Sequence, residues 1–91
     1  MSDRIIITVL GKDRTGIVST VSSTLAKLGA NVEDLSSTKM HGLFVMIVSA
    51  DISKCRKPLK EIQEELSKNG KRIGVQVVAQ HEDIFKYMHR I

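Results

Sequence analysis

A chain of 91 residues is the right length for one domain, since dividing it would leave two cores too small to hold. Hydrophobic residues at 42% against charged residues at 26% exclude a disordered chain, and the longest apolar run, Leu43 to Val48, excludes a spanning helix, which needs ~20 residues. The net charge of +4 comes from scattered Lys and Arg, with signs mixed over Lys57, Lys60, Glu61, Glu64, Glu65 and Lys68, and aromatics are 3% of the chain. That pattern argues against nucleic-acid and membrane partners. The single Cys55 permits no internal disulfide, and no secretion signal precedes the first apolar segment, so the expected compartment is the cytoplasm.

Arg4 to Leu10 is rich in Ile and Val and reads as a first strand buried on both faces. From Gly16 onward Ile17, Val21, Leu25 and Leu28 recur at helical spacing, and Gly29 is placed to close that helix. A second strand spans Asn31 to Met40. Val32 and Leu35 break its period-two parity, which predicts a bulge at its start, and Ser36-Ser37-Thr38-Lys39 suggests a sheet edge. His41-Gly42 then makes a hairpin turn into an interior third strand, Leu43 to Ala50.

After a connector from Asp51 to Arg56, Pro58 falls in the first turn of a second helix that carries Leu59, Ile62 and Leu66 on one side and stops at Asn69-Gly70. Ile73, Val75, Val77 and Ala79 alternate with Gly74, Gln76, Val78 and Gln80 as a half-buried fourth strand. Ile84, Phe85, Met88 and Ile91 line one side of a short terminal helix from Glu82.

The order βαββαβ predicts an α+β, ferredoxin-like sandwich: a four-stranded antiparallel sheet of order 4-1-3-2, two helices on one face, and a short C-terminal helix. One domain is expected over residues 1–91, with its core at 4–81 and a helical extension at 82–91. A domain this small buries only about 60–65% of its unfolded surface, which favours a homodimer.

The loop Gly11-Lys12-Asp13-Arg14-Thr15-Gly16-Ile17 carries the clearest chemical signal, because it leaves a strand and opens directly into a helix. First-turn N–H groups at Thr15, Gly16 and Ile17, with the positive end of the helix dipole, suit a carboxylate. Asp13 suits an ammonium group. A plainer reading stands beside this one: Asp13 caps the helix and Gly16 permits tight packing. No spacing among His41, His81 and His89 matches a zinc pattern, and Cys55 has no adjacent base. No metal, cofactor or catalytic residue is therefore expected.

Val9-Leu10-Gly11-Lys12-Asp13-Arg14-Thr15-Gly16-Ile17-Val18, followed by Leu25-Ala26-Lys27-Leu28-Gly29-Ala30-Asn31-Val32, resembles the ACT-domain signature. The resemblance covers residues 4 to 81; the tail is similar to that of small stand-alone ACT proteins, and the whole more distantly to the ACT halves of glycine-cleavage repressors. It implies a regulatory protein, not an enzyme, that binds an amino acid or similar ligand at a subunit interface and acts on a protein partner in trans. By position it implies ligand contacts at Gly11, Asp13, Gly16 and Ile17 in the loop and at Asn31 and Val32 in the second strand; Arg14 and Thr15, which complete the loop, are counted with the expected site. Asn31 can donate to and accept from a zwitterion, or serve only as a turn residue after Gly29. Gly11 and Asp13 replace the His and Asn of serine-sensing members, which argues against serine.

Two other functions share the fold. An acylphosphatase-like phosphohydrolase would grip phosphate with Arg14 and the helix start, but the third strand lacks a placed Asn to position water. An RNA-binding module would need stacking aromatics on the two central strands, where Phe44 stands alone.

Overall fold

The computed structural model describes residues 3–12 and 16–84. Its elements run β1 (Arg4–Lys12), α1 (Ile17–Leu28), β2 (Asn31–Met40), β3 (Leu43–Asp51), α2 (Leu59–Arg72) and β4 (Gln76–His81). The strands form one antiparallel sheet in the order β2-β3-β1-β4, the expected ferredoxin-like arrangement read from its other edge. A helical turn begins at residues 82–84, and the remainder of the expected terminal helix lies outside the described residues.

The core is the layer between the helices and one face of the sheet. Ile5, Ile7 and Val9 of β1 and Met46, Val48 and Ala50 of β3 point into it, met by Ile17, Val21 and Leu25 of α1 and by Ile62 and Leu66 of α2. Among the described residues nothing covers the opposite face, so β1 is not buried on both faces as its composition suggested: Ile6 and Thr8 are half-buried there and Leu10 is exposed. Apolar composition cannot distinguish a strand enclosed by two layers from one covered on a single face.

The bulge falls where parity predicted it. Val32 pairs with Ala50 and Asp34 with Ser49, leaving Glu33 as the extra residue. The guanidinium of Arg4 reaches across the sheet to that bulge, with Nε 2.5 Å from Glu33 Oε1, and also holds Glu82 just beyond β4 at 3.2 Å.

Several boundaries differ from expectation: β1 continues through Gly11 to Lys12, so Gly11 belongs to the strand and not to the loop, and β3 ends at Asp51. Pro58 stands before α2 as its cap residue, with an extended backbone, and not within the first turn. α2 runs through Asn69-Gly70 to Arg72, with Ile73 as its cap residue, and its closing turn is held by the Val75 N–H donating to Gly70 O at 2.9 Å and the Gly74 N–H to Lys71 O at 3.2 Å. Gly70 is needed for contact, not termination: a Cβ there would stand 2.6 Å from Val77 Cγ2. The added turn of helix takes up residues 70–72, so β4 begins at Gln76 and not at Ile73. Gln63 Nε2 then donates to Ala79 O at 2.7 Å, fastening α2 to β4.

Candidate functional site

β1 delivers the chain to the predicted loop at one end of the sheet. Gly16 begins α1 in a left-handed conformation, φ 95°, and its carbonyl accepts the first helical hydrogen bond from the Thr20 N–H at 2.8 Å. No atom lies within 4 Å of where a Cβ would project, so backbone conformation alone calls for glycine here. The cap residue has no side-chain oxygen to offer the first-turn N–H groups, and that turn contains no acidic residue.

Ile17 contributes only its backbone to this end, because its side chain is 2% exposed and belongs to the core. Gly11 has a packing reason of its own: a Cβ on it would collide with Val75. Asp13, Arg14 and Thr15 lie outside the described residues.

Asn31 and Val32 stand at the opposite end of the sheet. Asn31 is paired with Asp51, and Asp51 with Arg4 at the start of β1; Gly11 is level with Phe44 and Lys39. Seven residues of β1 separate the two levels, about 23 Å at the rise of an extended strand. Within one chain the two halves of the expected site therefore cannot touch one amino-acid-sized ligand. Val32 shares the helix-side face with Ala50 and Leu35 shares it with Val48, yet they are 38% and 39% exposed because the helices do not reach over β2. All ten positions of β2 are exposed, and its outer edge is unpaired.

Among the described residues, hollows indent the surface elsewhere. One of about 490 Å³ lies beside Gly74 to Val78; another, about 700 Å³, separates α1 from α2. The latter gathers cations that look scattered along the chain, a convergence that only the closely spaced Lys54, Arg56 and Lys57 foreshadow. Among the described residues no three His, Cys, Asp or Glu side chains form a metal-ligand set, and no helix is long and apolar enough to cross a membrane.

With this fold and this strand-to-helix loop in place, the chain belongs to the ACT domain family, whose profile matches residues 3–80. It is 51% identical over 88 residues to a UPF0237 protein of Methanocaldococcus jannaschii, covering 97% of this chain and 98% of that one. A UPF0237 protein of Listeria innocua is 42% identical over 88 residues, covering 97% and 99%. Among solved structures, an ACT domain protein from Streptococcus pneumoniae superimposes with a TM-score of 0.83 at 33% identity, over 93% of this chain and 96% of that one. The regulatory subunit of aspartate kinase from Thermus thermophilus shares the fold, with a TM-score of 0.66 at 21% identity over 88% and 52% of the two chains.

Proposed function

We propose that this ACT domain is a non-enzymatic regulatory module that binds a small amino-acid-like ligand between two copies of itself and conveys its ligand state to a protein partner in trans. The observation that carries the reading is the placement of the loop and Asn31 at opposite sheet ends. Antiparallel pairing of β2 with β2 of a second copy reverses one copy against the other. The Asn31 end of each then lies at the loop end of its neighbour, and a ligand between them meets both halves. The unpaired β2 edge and the uncovered Val32 and Leu35 support that mode of pairing.

In this reading the opening of α1 receives the carboxylate, Asp13 the ammonium, and Asn31 of the other copy bridges to the ligand. The ligand favours one subunit arrangement only to the extent that it binds that arrangement more tightly.

The test is thermal unfolding of the full chain against each of the twenty amino acids. A ligand at ~100 times its Kd adds about 2.7 kcal/mol, several degrees or more in a domain of this size. Asp13→Ala and Asn31→Ala should each abolish the shift while leaving the unliganded Tm near that of the parent. A shift that survives both substitutions moves the pocket elsewhere.

A further inference from the structure

The groove between α1 and α2 has a floor of neutral polar groups. Asn69 Nδ2 donates to Thr24 Oγ1 at 2.9 Å, and the Thr24 hydroxyl donates to Thr20 O at 2.8 Å, so a hydrogen-bonded rung ties the two helices beneath an open trough of about 700 Å³. Around it stand Lys27, Lys54, Arg56, Lys57 and Arg72, with Glu65 as the one acid. The connector after β3 brings much of this charge together. It lies so close to the end of α1 that a Cβ on Gly29 would be 3.5 Å from Lys54 O, which sets Lys54, Arg56 and Lys57 beside Lys27.

These cations are not used in holding the fold. The ion pairs among the described residues join Arg4 to Glu33 and Glu82, and His81 to Asp83; none includes a groove cation. Five positive side chains against one negative in a single trough repel one another and together raise the local positive potential, an attraction for anions that salt screens. The guanidinium groups of Arg56 and Arg72 offer paired donors that match phosphate oxygens, while Ser19 and Ser23 add hydroxyl donors along α1. Among the described residues no aromatic side chain lines the trough, so none of them offers a nucleobase a surface on which to stack.

We infer that the α1–α2 groove is a binding site for a compact oligophosphate, either inorganic or the phosphate chain of a nucleoside polyphosphate. It includes none of the residues assigned to the amino-acid site, so the two sites stand or fall separately. An anion held there bridges α1 to the β3–α2 connector and gives the domain a second input.

Calorimetric titration of the full chain at low ionic strength, using inorganic tripolyphosphate as probe, tests the inference. Saturable binding of one anion per chain is expected, weakened at least about tenfold in the double variant Arg56→Ala/Arg72→Ala, as loss of charge-assisted paired bonds implies. Both arginines are exposed, and the unliganded Tm of the variant verifies that it folds. Lys60→Ala/Lys68→Ala removes the same net charge from exposed positions outside the groove and should leave affinity unchanged. ATP binding as tightly as tripolyphosphate supports recognition of the phosphate chain alone; ATP binding at least tenfold tighter supports the same site with a nucleotide as its source. The inference is overturned if no saturable binding occurs, if citrate binds as tightly as tripolyphosphate, if the two double variants weaken binding equally, or if single-stranded RNA binds where tripolyphosphate does not. Any amino-acid-induced Tm shift should persist in Arg56→Ala/Arg72→Ala, which keeps failure at this groove distinct from failure at the subunit interface.

Discussion

Val75 seats its side chain against the backbone of Gly11, so closely that a Cβ on Gly11 would stand 2.5 Å from Val75 Cγ1 and 3.0 Å from Val75 Cβ. The same residue closes α2, its N–H donating to Gly70 O at 2.9 Å. One valine thus clamps the end of β1 to the end of α2, at the sheet end where the chain leaves for the candidate ligand loop.

Gly11→Ala should therefore destabilise the domain by about 1–3 kcal/mol, the usual cost of forcing an extra carbon into a packed site. Without the collision, alanine would be at least as good as glycine in a strand. Urea unfolding of Gly11→Ala, Val75→Ala and the double variant checks this. The alanine penalty should shrink by more than half when Val75 is already truncated, and an additive result would remove packing as the reason for glycine.

Much of this architecture was legible locally. The spacing of Ile17, Val21 and Leu25 with Gly29 behind them defines α1 because a helix and its closing turn are short-range structures. The parity break between Val32 and Leu35 marks the bulge for the same reason. Gly70 misleads because a glycine that ends a helix and one that admits a neighbour look alike in sequence; the deciding atom, Val77 Cγ2, belongs to the next strand. The candidate site was legible as a loop, but its separation from Asn31 depends on strand order. The convergence of Lys27 with Arg56 and Arg72 likewise depends on how two helices and a connector pack.

Asp51 predicts part of the acid limb of stability. Its carboxylate accepts a 2.8 Å hydrogen bond from the Ser53 N–H, which with the Ser53 hydroxyl holds its pKa below the ordinary carboxylate value in the folded state. A carboxyl group lowered by folding stabilises at pH values above its unfolded pKa, and that contribution fades as pH falls through the folded value. Asp51→Asn should lower the Tm at neutral pH and narrow its gap from the parent protein as pH is taken from 6 toward about 3. A constant gap across that range would show that the charge on Asp51 does not matter.

Cys55 should be a sluggish thiol. Partial burial, followed by the negative charge of Asp51, pushes its pKa above the ordinary thiol value and reduces the thiolate at neutral pH. Alkylation by iodoacetamide at pH 7.5 should run slower than for an unfolded peptide of the same local sequence, and its pH-rate midpoint should lie higher. Asp51→Asn should move that midpoint down, since it removes the second of the two causes.

The subunit pairing proposed for the ligand site makes the sharpest demand on Leu35. On the helix-side face of β2 it is 39% exposed within one chain, so Leu35→Lys leaves the core intact and should change the stability of an isolated protomer little. Across a β2-to-β2 contact, however, a lysine at that row enters an apolar seam and must be desolvated. Light scattering coupled to size exclusion should find the parent protein dimeric at micromolar concentration, with a Tm that rises with concentration. Leu35→Lys should be monomeric, with a Tm independent of concentration. Val78→Lys provides the contrast: it is 43% exposed on β4 at the other sheet edge and faces the uncovered side, so it should leave the dimer in place. If Val78→Lys dissolves the assembly and Leu35→Lys does not, pairing runs through the uncovered sheet face. Asn31 of one copy then has no path to the loop of the other.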